Sequence, residues 1–163
     1  MRVLVTAASK HGGTTGIAEA IRDELVNRGI DATAATPEDG ADVGAYDGVV
    51  IGSAVYAGHW LEPAKRFVAE NDIALAARPV WLFSSGPLGD PLKPTEEPRD
   101  AVAIGARIGA REHRVFAGRL DRSTLGLAER AILRLIRAKD ADARPWDEIR
   151  SWAAAIAGDL AAA

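Results

Sequence analysis

Cysteine is absent from the 163 residues, which excludes a disulfide framework, a thiolate metal centre and a cysteine nucleophile. No apolar run approaches the roughly 20 residues that a membrane-crossing helix needs. Histidine occurs three times, without H-E-x-x-H or a similar spacing, so no metal site is expected. The net charge of −3 is too small to imply a nucleic-acid partner. The first residues hold one arginine and run directly into a strand pattern, so no secretory signal is expected and a cytoplasmic location is.

What is present is an apolar fraction of 48%, enough for one packed core, arranged as alternating elements. Residues 3–8, 30–35, 46–55, 78–86 and 113–120 read as strands, and most are apolar throughout. Residues 15–28, 61–72, 96–110, 124–139 and 146–161 read as helices. In the first helix Ile17, Ala18, Ile21, Leu25 and Val26 share one face, with Glu19, Arg22, Asp23 and Arg28 opposite. Apolar strands alternating with helices predict an α/β fold: a five-stranded, doubly wound parallel sheet between two helical layers, in one domain. In such folds ligands bind beyond the carboxyl ends of the strands. The loops after Ala8, Ala54 and Ser84 are therefore expected to converge on one site.

The first of these loops, "SKHGGTTG", joins a strand end to a helix start. Helix N-termini present unpaired N–H groups and the positive end of the dipole, which favours an anion. Ser9, Thr14 and Thr15 add hydroxyls, and Gly12 and Gly13 let the backbone curl around a ligand. The pattern suits a compact terminal phosphate. Neither G-x-x-x-x-G-K-[ST] nor G-x-G-x-x-G is present, which argues against a nucleoside triphosphatase or a dinucleotide fold. The loop also reads as an ordinary helix entry capped by Thr14.

Strand–"SKHGGTT"–helix resembles the phosphate loop of the flavodoxin family. The resemblance implies non-covalent FMN, with Ser9, Lys10, His11, Gly12, Gly13, Thr14 and Thr15 around its phosphate. Lys10 and His11 depart from electron-carrier flavodoxins, whose loop is neutral there. The second loop, "GSAVYAGHWLEPAKRF", would then set the ring environment through Ser53, Ala54, Val55, Tyr56, Ala57 and Gly58. Tyr56 and Trp60 are candidates for ring contact, although Trp60 also reads as a hydrophobic staple for the next helix. His59 is the candidate general acid, histidine being the residue type suited to proton transfer near neutral pH. The third loop, Ser84, Ser85, Gly86, Pro87, Leu88 and Gly89, would close the pyrimidine side or be a turn rich in turn residues.

"VVIGSAVYAGHW", "VFAGRLDRSTLGLAERAILRLI" and "PWDEIRSWAAAIA" resemble the menaquinone-dependent protoporphyrinogen dehydrogenases of flavodoxin type. That resemblance implies an FMN-dependent oxidoreductase passing electrons between an organic substrate, such as a porphyrinogen, and a quinone-type acceptor. Residues 119–144 are shorter of aromatics than the matching segment of that family. Residues 105–139 hold nine basic and three acidic side chains. Arg119, Arg122 and Arg130 are candidates for contact with a substrate or with an anionic membrane surface. A carrier is usually strongly acidic around its flavin, which this chain is not. The competing readings are a flavodoxin-type electron carrier, an NAD(P)H:quinone reductase, a deazaflavin-binding relative and a non-redox scaffold or binding domain.

Overall fold

A computed structural model describes residues 1–86, 97–120, 126–128 and 141–163. Five strands, β1 (Arg2–Ala8), β2 (Asp31–Ala35), β3 (Gly48–Tyr56), β5 (Val80–Ser85) and β6 (Glu112–Phe116), form a parallel sheet in the order β2-β1-β3-β5-β6. A short β4 (His59–Trp60) folds back antiparallel on the end of β3. A separate two-stranded ribbon pairs β7 (Arg119–Leu120) with β8 (Ala141–Asp142).

Because β1, β3 and β5 are buried on both faces, their side chains alternate between two cores. On one face, α1 (Gly13–Asn27) and α5 (Trp146–Ala161) cover Val3, Val5, Val50, Trp81 and Phe83. On the other, α2 (Glu62–Glu70), α3 (Asp72–Ala76) and α4 (Arg99–Ile108) cover Leu4, Val49, Ile51 and Leu82. The fold is thus a three-layer α/β/α sandwich. The first core is keyed by Phe83, Phe116 and Trp152, whose ring centroids lie 5.6–6.3 Å apart in tilted or edge-on contacts.

Several expected boundaries move for local reasons. The helix over 61–72 is two, because Asn71 leaves helical geometry and donates its side-chain amide to the Phe67 carbonyl. The strand over 113–120 ends at Phe116, and β7 leaves the sheet to join its ribbon. Between them Gly118 lies so close to Gly86 that an added Cβ would sit 3.1 Å from its Cα. The strand over 46–55 begins at Gly48, since Tyr46 closes a 3-10 turn onto the Val43 carbonyl. The β3–β4 return was not foreseen. Most of the expected helix 124–139 lies outside the described residues.

Gly52 sits on β3 directly under the Phe83 ring, where any Cβ would overlap ring carbons. Phe83 cannot swing away, because Phe116 and Trp152 hold its other sides. Gly52→Ala should therefore destabilise the protein by about 2 kcal/mol or more, the cost of overpacking a rigid core. Urea unfolding should show a lower midpoint with an unchanged slope.

Candidate phosphate and ring-binding site

Loop one, loop two and the described start of loop three, Ser84 to Gly86, lie at the carboxyl ends of the neighbouring strands β1, β3 and β5. In the first, the Gly12 N–H donates to Ser9 Oγ at 3.0 Å, and Gly12 itself is left-handed at φ 82°. Its carbonyl accepts the first helical bond, from the Gly16 N–H at 3.1 Å. The helix therefore starts at Gly13, two residues earlier than its apolar face suggests, and Gly12 rather than Thr14 is its N-cap. Nothing lies within 4 Å of a Cβ built on Gly12, so this side of the loop is open. Ser9 and Thr15 are half-buried and Thr14 is buried. The donor set is thus hydroxyls and first-turn N–H groups around an open, glycine-lined concavity, which fits a phosphate monoester.

Loop one touches loop two directly: Lys10 Nζ lies 5.3 Å from the centre of the Tyr56 ring, within cation–π range. Tyr56, Ala57, Gly58 and His59 form an exposed two-residue turn in which Tyr56 pairs with His59 across the strands. Ala57 at φ 50° and Gly58 at φ 80° both lie in the left-handed region, as a type I′ turn requires. Ala57 pays a steric penalty there that glycine or asparagine would avoid.

Behind the turn the polar groups look inward. Trp60, expected either at a ring or as a staple, is buried, and its indole N–H donates to Ser84 Oγ at 2.7 Å. Ser53 and Ser84, expected near the ligand, are both fully buried. Ser53 Oγ donates to the Ala54 carbonyl and accepts from the Leu61 N–H at 2.9 Å. Ala54, Val55 and Ser85 are buried too, and Gly86, at φ 85°, donates its N–H to the Phe116 carbonyl. The outward-facing groups of loop two are therefore Tyr56 to His59. Pro87, Leu88 and Gly89 lie outside the described residues, as do Arg122 and Arg130.

His59, the candidate acid, places Nδ1 3.1 Å from Asp100 Oδ2, and the same oxygen accepts the Trp60 N–H at 2.9 Å. Asp100 lies in the first turn of α4, where a carboxylate is favoured. No motif connects it to position 59, so sequence reasoning missed it. Arg119 lies beside the first loop. Its backbone and Cβ pack within 3.5–3.7 Å of a Cβ built on Gly13, and its guanidinium reaches the His11 carbonyl at 3.5 Å.

A second missed residue is Arg144. Its side chain is 9% exposed and grips Asp142 with two bonds of 2.9 and 2.6 Å. It also donates to the Gly13 carbonyl at 3.3 Å and lies 4.4 Å over the Trp146 ring. A guanidinium beside a helix N-terminus is unfavourable alone, and the Asp142 carboxylate offsets it. The ribbon is so clamped to the first turn of α1. A sequence signal existed only in the closeness of Asp142, Arg144 and Trp146.

A family model described as the flavodoxin domain matches residues 4–145. The chain belongs to that family. Solved structures agree on the fold. A flavodoxin from the domain Archaea is 17% identical, with 98% of this chain and 99% of that chain covered and a TM-score of 0.67. A flavodoxin mutant from Pseudomonas aeruginosa is 15% identical, with 97% of each chain covered and a TM-score of 0.64. The rubredoxin oxygen:oxidoreductase of Desulfovibrio gigas is 12% identical with a TM-score of 0.66; 99% of this chain covers 36% of that one. No functionally curated protein matches the chain by sequence. Among the described residues no helix is long and apolar enough to cross a membrane.

The Arg144 hydrogen bonds hold the Asp142 carboxyl below the usual carboxylate range. A carboxyl with a depressed folded-state pKa stabilises the fold above its unfolded pKa, and the gain disappears as pH falls through the folded value. Asp142→Asn should therefore cost about 1 kcal/mol at neutral pH, small because Asp142 is largely solvent-facing. The gap to wild type should close as pH drops below the ordinary carboxylate range, read by denaturant melts across pH.

Proposed function

We propose that the protein is an FMN-binding oxidoreductase that passes electrons between an organic substrate and a quinone-type acceptor. The observation that carries the flavin reading is the first loop: Ser9 and Gly12 joined across an open, left-handed turn, with the N–H groups of Gly13, Thr14 and Thr15 following. Ser9, Thr14 and Thr15 with those N–H groups would hold the phosphate. Tyr56 would stand beside the ring system, and the segment leaving Gly86 would border its pyrimidine edge. When bound, FMN supplies one- and two-electron transfer; the chain supplies orientation and electrostatics.

Enzyme rather than carrier is favoured by the rim. Lys10 and Arg119 stand at the first two loops, whereas a diffusing carrier is normally steered by acidic charge. The same cations suit a carboxylate-bearing substrate such as a porphyrinogen. The carrier reading has one observation of its own, the end-to-end match to flavodoxin structures. The two are separated by kinetics. An FMN-loaded enzyme should be reduced by an organic donor and reoxidised by a soluble quinone with saturable rates, while a carrier should need a protein partner for both.

The cofactor reading is tested by titrating FMN and riboflavin in parallel. Thr15→Ala and Ser9→Ala should each weaken FMN about tenfold, the loss of a hydrogen bond to a charged group, and leave riboflavin unchanged. Equal weakening of both ligands, or of neither, would remove the phosphate from this loop.

A further inference from the structure

Behind the site, four side chains from distant parts of the chain form a hydrogen-bonded line. Trp60 Nε1 lies 2.7 Å from Ser84 Oγ, Ser84 Oγ 2.8 Å from His113 Nε2, and His113 Nδ1 2.8 Å from Glu97 Oε1. With a neutral His113 ring the line has one consistent polarity. An indole N–H can only donate and a carboxylate can only accept. Ser84 Oγ therefore accepts from Trp60 and gives its own hydrogen to His113 Nε2. The neutral ring must then carry its proton on Nδ1, donated to Glu97. In the opposite tautomer, two acceptors would face each other at 2.8 Å across Nδ1 and Oε1.

A serine, a histidine and a carboxylate in this order suggest a hydrolytic nucleophile, but Ser84 is fully buried and its hydroxyl is engaged on both sides. Its reach is towards Trp60 instead. Trp60 is the returning leg of the β3–β4 turn and is held at three points: Asp100 Oδ2 takes its N–H, Ser84 its indole, and Ser53 the N–H of the next residue, Leu61. That turn contains Ala57 in a left-handed conformation, which persists only where its surroundings over-determine it.

We infer that His113 is a positioning residue for the Tyr56–His59 turn: oriented by Glu97, it fixes Ser84, and through Ser84 the indole of Trp60. The consequence for cofactor affinity rests on the flavin reading above; the consequence for the turn does not.

The full chain without cofactor provides the first test. Nitrogen-15 NMR of the His113 ring should show Nδ1 protonated and Nε2 as an acceptor. His113→Leu should speed exchange of the Trp60 indole N–H about tenfold, as expected for a lost buried hydrogen bond. His113→Gln, whose amide oxygen can accept the Ser84 hydroxyl, should stay near wild type. Glu97 is half exposed, so Glu97→Ala is the variant to use if His113→Leu does not fold; it should scramble the tautomer and also speed the exchange. An Nε2–H tautomer in the wild type, or unchanged indole exchange in a folded variant lacking either group, overturns the relay.

FMN titration then separates the two claims. If the wild type binds FMN, His113→Leu should raise Kd about tenfold and His113→Gln should not. A loosened Trp60 with an unchanged Kd overturns the reach to the cofactor site. A wild type that binds no FMN removes the flavin reading, while tautomer and exchange still decide the relay.

Discussion

The loop end of this fold hangs from one step of sheet register, Ser53 of β3 against Ser84 of β5. Both serines are fully buried at the point where two apolar strands run out. A buried hydroxyl must find partners, and each finds them in the segment that turns back over the sheet. Ser53 takes the Leu61 N–H and Ser84 the Trp60 indole. Were the register to slip by one residue, the two hydroxyls would point to opposite faces of the sheet, and the β3–β4 turn would lose one of its anchors. Gly52, one residue earlier, lets the Phe83 ring close the opposite face at the same level. Core packing and site geometry are thus set at adjacent positions of the same strand.

Much of the architecture was legible in the sequence because it is written in local patterns. Continuous apolar runs such as residues 48–55 and 80–83 announce strands covered on both sides, and a 3.6-residue period marks α1. The rule that ligands gather at the carboxyl ends of parallel strands then selects the three loops without further information. The first loop was legible in place, as a turn into a helix, while its hydroxyls and glycines fit both a phosphate cradle and an ordinary helix entry.

The rest depended on contacts between residues far apart in the chain. Trp60 reads as a ring contact or a hydrophobic staple until Ser84, 24 positions later, is seen to take its indole N–H. Asp100 carries no sequence signal for the site, since its engagement of His59 and Trp60 spans 40 residues or more. Arg119 reads as part of a basic segment, yet it packs on Gly13 across the sequence. The turn itself was hidden because Ala57 occupies a left-handed position that propensity assigns to glycine or asparagine. Where tertiary contacts override local preference, the preference gives no warning.

The central claim is that these loops exist to hold a flavin mononucleotide. It is tested most directly by the visible absorption spectrum of the purified protein after incubation with FMN in slight excess and desalting. The account predicts that the oxidised-flavin bands stay with the protein in stoichiometric amount. A protein that emerges colourless from the column would contradict it.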